Sequence, residues 1–241
     1  MMKNNVYVLV ADCHIRAHSD AESEFFEMLD SISKFSPAGV IFLGDIFELW
    51  IALDGYETRE HLRFIQWCAD HKDKMEIGFI EGNHEFYVSE RHREAFSWID
   101  NAARSAGNGF LFIHGDLINR ADHKYLLLRR IVRNRFTRFL LRLTASNIGP
   151  GIAEKVRVSL KPTNLQHKRL LPVSHLEEYG RKAARGKVHT IFSGHFHVRK
   201  NIGLQDGMSA EILPAWGNSG EIVLLRPDST LDCGPWREIL S

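Results

Sequence analysis

The chain has 241 residues, 44% hydrophobic and 25% charged, with a formal net charge of +1. That balance is ordinary for a globular chain and excludes low-complexity classes. Cys13, Cys68 and Cys233 fit neither a disulfide framework nor a CxxC zinc site, and no apolar run approaches the length of a bilayer span.

Five short apolar runs read as buried strands: "VYVLVADCH" (6–14), "GVIFLGD" (39–45), "EIGFIEGNH" (76–84), "GFLFIHGD" (109–116) and "VHTIFSGHFH" (188–197). Helical patterns lie between and after the first three, over 19–35 behind Ser/Asp capping signals, over 57–71, and over 89–107 with a Gly C-cap. Strands alternating with helices predict an α/β layered fold in one domain. The tail, "SAEILPAWGNSGEIVLLRPDSTLDC", predicts two or three antiparallel strands.

Residues about 120–185 break the rhythm and read as a helical insertion on the α/β body. Apolar, Arg-rich helices precede "IGPG" (148–151), and further helices follow around 151–160 and 173–187. Residues 120–188 carry 17 Lys/Arg against 4 Asp/Glu, a net +13, so the remainder carries −12. Such segregation points to an anionic partner, either phosphate, nucleic acid or anionic lipid. Large apolar residues interleaved with the arginines favour a membrane surface over nucleic acid, for which no stacking or groove-reading motif is visible. A helical hairpin that packs its apolar face on the body is the plainer reading of the same pattern. The first apolar run is too short for a signal-peptide core and the cysteines fit a reducing compartment, so a cytoplasmic location is expected.

The strand ends share one chemistry. Asp12, His14, Asp45, Asn83, His84, His114, His195 and His197 all follow buried runs, where ligands bind in open α/β sheets. In extended chain, Asp12 and His14 point to one side and Cys13 to the other, as do His195 and His197 around Phe196. Gly44, Gly82, Gly115 and Gly194 supply backbone freedom for tight exits from the sheets. Carboxylate, amide oxygen and imidazole without thiolate suit Mn, Fe or Zn. The ligands exceed what one ion needs; two ions ~3.5–4 Å apart sharing a carboxylate fit in-line hydrolysis at phosphorus. Any one of these turns alone is commonplace; the five in order are specific.

The ordered set "DCH", "GDIFE", "GNHE", "HGD" and "GHFH" resembles the calcineurin-like metallophosphoesterases. The resemblance runs over residues 6–226 and implies a sandwich of two mixed β-sheets flanked by helices (αββα), with the helical insertion as a lid. It also implies that Asp12, His14, Asp45 and His197 hold one metal ion and Asp45, Asn83, His114 and His195 a second, with Asp45 bridging. His84 matches the histidine that contacts the phosphate and protonates the leaving group. Glu85 has no place as a ligand; an orienting role is the expectation for it.

Within that superfamily, "GDIFELWIA", "LPAWGNSGEIV" and "HGDLINRADHKYLLLRR" resemble the UDP-2,3-diacylglucosamine diphosphatases of lipid A synthesis. This narrower resemblance implies hydrolysis to UMP and 2,3-diacylglucosamine 1-phosphate at the inner face of the cytoplasmic membrane. It places Asp122 and Tyr125 at the substrate and brings Arg157 and Lys161 to the diphosphate or uridine. Those enzymes typically read GNRD where this chain reads GNHE, so His84 stands in the place of an Arg. The alternatives are another phosphodiester, nucleotide or phosphoprotein substrate, or a non-catalytic interaction module; such modules usually lack ligands that this chain has. Oligomeric state is left open.

Overall fold

The computed structural model describes residues 4–120, 122–144, 172–184 and 188–241. Strand β1 (Asn4–Val10) is followed by α1 (Asp20–Phe35), β2 (Pro37–Phe42), β3 (Trp50–Ile51), α2 (Arg59–His71), β4 (Glu76–Ile80) and β5 (Glu85–Phe86). Helix α1 starts where the Ser19 hydroxyl accepts from Glu22 N, and ends at Ser36, whose φ of 53° is left-handed. Phe25, Met28, Leu29 and Ile32 recur at helical spacing and form its buried stripe.

The helix expected over 89–107 is not formed. A four-residue turn α3 (Val88–Arg91) and a short 3-10 turn give way to β6 (Trp98–Asp100) and β7 (Ala103–Ser105). Trp98 is the reason. Its indole lies against Gly78 of β4, where a Cβ would come within 2.1 Å of the ring, and Ile99 beside it is buried. Strand pairing of Trp98 with Gly78 buries both more completely than a surface helix would.

Strand β8 (Phe110–Ile113) leads into the insertion helices α4 (His123–Val132), α5 (Arg135–Thr144) and α6 (Val173–Ala184). The predicted stop at 148–151 and the helix around 151–160 lie outside the described residues. The chain then returns as β9 (Thr190–Ser193), β10 (Lys200–Gly203), β11 (Ser209–Ile212), β12 (Glu221–Leu225) and β13 (Leu231–Pro235). The tail divides between the sheets. β12 and β13 form an antiparallel pair, whereas β11 runs parallel to β9.

One mixed sheet has the order β13-β12-β1-β2-β4-β6 and the other β10-β11-β9-β8-β7. Side chains alternating along β1 show the layering. Val8 and Val10 join a core with Phe25, Phe42, Phe64 and Phe79 under α1 and α2. Leu9 and Ala11 join Phe110, Phe112 and Phe192 between the sheets. The far face of the second sheet buries Ile191 and Ala210 with Leu176 of α6. Helices therefore flank two face-packed sheets, as expected, and the parallel strands β1, β2, β4, β8 and β9 deliver their carboxyl ends to one region.

Candidate metal centre

Those strand ends carry the predicted ligands, and the structure brings them together. Donor atoms of Asp12, His14 and His197 lie within 4.8 Å of one another, as do those of His14, Asp45 and His84, and those of Asp45, His114 and His195. The His14 and His197 Nε2 atoms approach to 3.2 Å, and His114 Nε2 lies 3.1 Å from Asn83 Oδ1. Asp45 Oδ2 lies 3.4 Å from His114 Nε2, 3.8 Å from His84 Nε2 and 3.9 Å from His14 Nε2. Asp45 thus stands between the groups.

The backbone that makes this possible differs from the extended one expected. Asp12, His14, Asp45, His195 and His197 all have φ between 49° and 71°. Left-handed conformation is costly for residues with a Cβ, on the order of 1–3 kcal/mol each, and clusters at functional sites. The paired side chains meet because the chain coils, not because it alternates. Register is held by Asp12 N donating to Gly44 O at 3.0 Å and His14 N to Asp45 O at 2.9 Å.

The glycines divide into two kinds. Gly44 and Gly115 have φ of 82° and 124°, so backbone freedom explains them. Gly82 and Gly194 provide space instead. A Cβ would come 2.3 Å from Asp45 Oδ1 at Gly82, and 2.7 Å from Asp12 Oδ2 at Gly194.

Electrostatics favour positive charge here. Asp12 and Asp45 are fully buried, and Asp12 Oδ1 and Asp45 Oδ2 have no hydrogen-bond partner. Burial opposes ionisation of Asp45, but the imidazoles of His114 and His84 prevail and hold its carboxyl well below the usual range. Burial alone would keep His114 neutral; the Asp45 charge overrides it and pushes the imidazole up to about 10. Burial holds His14 down to about 4, leaving it a neutral donor. His114 Nδ1 meets Leu43 O at 2.7 Å and His84 Nδ1 meets Glu48 O. A carbonyl only accepts, so both rings direct Nε2 inward, as second-sphere carbonyls do for metal-ligating histidines. Buried unpartnered carboxylate oxygens facing imidazole Nε2 atoms and an amide oxygen fit divalent cations.

Residues that the ligand pattern did not single out support the centre. Glu85 is fully buried and gathers three backbone N–H groups, from Asp45 (2.8 Å), Ile46 (2.7 Å) and Gly82 (2.8 Å). Burial and then the neighbouring Asp45 charge push its carboxyl up to about 8. Its position three residues after Gly82 in a turn was the available signal. Asp116, in "HGD", is buried and accepts from the Tyr125 hydroxyl and from Arg129 Nε at 2.9 Å. Two predicted substrate contacts have structural partners here: Tyr125 on Asp116, and Asp122 as the α4 N-cap, accepting from Tyr125 N at 2.9 Å. Arg157 and Lys161 lie outside the described residues.

The insertion is amphipathic in an unusual sense. Tyr125, Arg129 and Arg133 recur every four residues on α4 and face acidic groups of the body, Asp116 and Glu81. Leu127, Leu128 and Ile131 face outward, at 59%, 45% and 49% exposure, followed on α5 by Phe136, Phe139 and Leu143. Val132 and Leu141 touch the body beside Phe86 and Tyr87, but most of the apolar face is not packed down. No helix among the described residues is long and apolar enough to cross a membrane.

A fold of two packed mixed sheets with carboxylates and histidines converging at the strand ends defines a metal-dependent phosphoesterase. The family model for calcineurin-like phosphoesterases matches residues 6–199, and the chain belongs to that family. It is similar to proteins named UDP-2,3-diacylglucosamine hydrolase. The one from Pectobacterium carotovorum is 23% identical over 231 residues, 92% of this chain and 95% of its own length. That from Pseudomonas paraeruginosa is 28% identical over 224 residues, 88% and 92% of the two chains. A crystal structure of a Streptococcus pneumoniae protein described as a predicted phosphoesterase is 10% identical, with a TM-score of 0.47 over 98% of this chain and 92% of that one.

Proposed function

We propose that the protein hydrolyses the diphosphate of UDP-2,3-diacylglucosamine to UMP and 2,3-diacylglucosamine 1-phosphate. The observation that carries the hydrolytic reading is the convergence of imidazole nitrogens on the buried, unpartnered Oδ2 of Asp45. Asp12, His14, Asp45 and His197 would hold one divalent cation, and Asp45, Asn83, His114 and His195 a second. Manganese is the favoured ion. When bound, such cations supply Lewis acidity to phosphoryl oxygens and acidify the attacking water.

The protein's own groups complete the reaction. One water adds to phosphorus, one P–O bond of the diphosphate breaks, and the leaving phosphate oxygen takes up a proton. His84 is suited to give that proton. Its Nδ1 is committed to Glu48 O and its Nε2 faces the Asp45 side of the centre. Asp45 Oδ1 accepts from His84 N at 2.9 Å, so the carboxylate proposed to join the two cations also holds the backbone of the acid. Asp122, Tyr125, Arg157 and Lys161 are the proposed substrate contacts of the insertion.

Two features support a lipid substrate: the names carried by the relatives and the outward apolar face of α4 and α5. That face, with the exposed Arg130, Arg135 and Arg142 beside it, suits peripheral contact with an anionic membrane. His84 favours the second reading, a different phosphodiester or nucleotide, because it replaces the Arg typical of the lipid enzymes. A Mn2+-supplemented hydrolysis panel separates the two. It sets UDP-2,3-diacylglucosamine against simple nucleotides and a chromogenic diester, with phosphorus NMR of the products. UMP released fastest from the lipid substrate supports the first reading; equal or faster turnover of the small substrates supports the second.

A further inference from the structure

Arg133 closes α4 where the chain turns into α5. Its Nη1 donates to Glu81 Oε2 at 2.7 Å, and its Nη2 donates to the carbonyls of Gly82 and Glu85, each at 2.7 Å. The side chains of Arg133 and Glu81 are 13% and 2% exposed, so little water competes for these bonds. The acceptors bracket Asn83 and His84. Of the two carbonyls between these acceptors, that of His84 is taken by Trp50 N at 2.8 Å. On its other side the loop gives N–H groups to Glu85 and Asp45. The five-residue loop is therefore held from within by carboxylates and from without by one guanidinium of the insertion.

We propose that Arg133 is a positioning residue for Asn83 and His84, so that the helical insertion completes the reactive loop as well as covering it. The inference rests on the roles given to Asn83 and His84 above. Its physical basis is the fork of the guanidinium, which holds a carboxylate and two carbonyls at once, whereas an ammonium is a point charge. Misplacement of a reacting group by about 1 Å costs on the order of a hundredfold in rate. The connection also runs outward. The helix that ends in Arg133 carries the exposed Leu127, Leu128 and Ile131, so a ligand on that face and the loop share one rigid element.

The test uses a chromogenic diester too small to need the apolar face, with Mn2+ present. Arg133→Ala is expected to lower kcat about tenfold or more while KM stays within about threefold. Arg133→Lys, which can keep the ion pair with Glu81, recovers only part of the loss. The double variant Arg133→Ala/Glu81→Gln removes the unpaired buried charge and stays as slow as Arg133→Ala. In metal-free protein, amide exchange over residues 83–86 rises in both Ala variants. Undiminished kcat in Arg133→Ala, or full recovery in the double variant, overturns the inference, the latter by tracing the defect to unpaired Glu81. His84→Ala is the control. If it too keeps full kcat, the reading of the loop falls and takes the inference with it; if it is slow while Arg133→Ala is not, the inference alone falls.

Discussion

Glu85 receives the backbone N–H of Asp45 on Oε2 at 2.8 Å, and the same oxygen takes the N–H of Gly82 at 2.8 Å. Residues 40 apart are thereby fixed as one unit, and the unit is the turn pair from which Asp45 and Asn83 project. Glu85→Gln places an amide NH2 or a lone oxygen against three donors. Loss of one buried acceptor costs about 1–3 kcal/mol, so a fall in melting temperature is expected together with weaker Mn2+ binding. Thermal melts and Mn2+ calorimetry on the same samples check it. A destabilised variant with unchanged Mn2+ affinity would limit Glu85 to a folding role.

Gly82→Ala tests whether space beside Asp45 is needed. A Cβ there would sit 2.3 Å from Asp45 Oδ1, whereas at Gly107 nothing lies within 4 Å. Gly82→Ala is expected to reduce diester hydrolysis about a hundredfold, and Gly107→Ala to leave stability within about 0.5 kcal/mol and activity unchanged. Steady-state rates and melts on the two variants decide it.

The pH dependence of stability follows from His114 and Glu85. His114 is raised to about 10 in the folded chain. Its contribution is complete below the unfolded value of about 6.5 and is lost as pH rises through 10. Glu85, raised to about 8, prefers its proton when folded, so it also costs stability as pH rises toward 8. His14, lowered to about 4, acts in the opposite sense only below about 6.5. Metal-free protein is therefore expected to lose melting temperature between pH 6.5 and 10. Cations replace the lost positive charge, so the increment in melting temperature from added Mn2+ should grow over the same window. A constant increment contradicts this.

Phe136 and Leu143 are 69% and 66% exposed, so Phe136→Gln/Leu143→Gln removes no packed core. Stability is expected to stay within about 0.5 kcal/mol and hydrolysis of a small diester to be unchanged. Co-sedimentation with phosphatidylglycerol vesicles should fall. Equal retention on the vesicles would remove these side chains from membrane contact.

The candidate ligands at the strand ends were legible because each follows an apolar run, and burial of both sheet faces demands such runs. Asp12, His14, Asp45, Asn83, His114, His195 and His197 were singled out in this way, and the structure places them at one end of the sheets. The left-handed backbone of Asp12, His14, Asp45, His195 and His197 was not legible, since any residue with a Cβ adopts it uncommonly and here tertiary contacts impose it. The false helix over 89–107 arose where Trp98 finds its partner in Gly78, twenty residues earlier. Long-range pairing outweighed local periodicity there. The orientation of α4 escaped for a similar reason. Its arginines read as charge for an anionic membrane surface, but Arg129 and Arg133 answer the buried carboxylates Asp116 and Glu81. Only the assembled body shows that those acids lie beneath the helix, leaving the leucines outside.

Asp45 is proposed to join two cation sites, and titration calorimetry of Mn2+ into the wild type and Asp45→Asn reads this out. Two ions per chain are expected for the wild type, with loss of tight binding at both sites in the variant. A single ion in the wild type, or unchanged stoichiometry and affinity in Asp45→Asn, would contradict it.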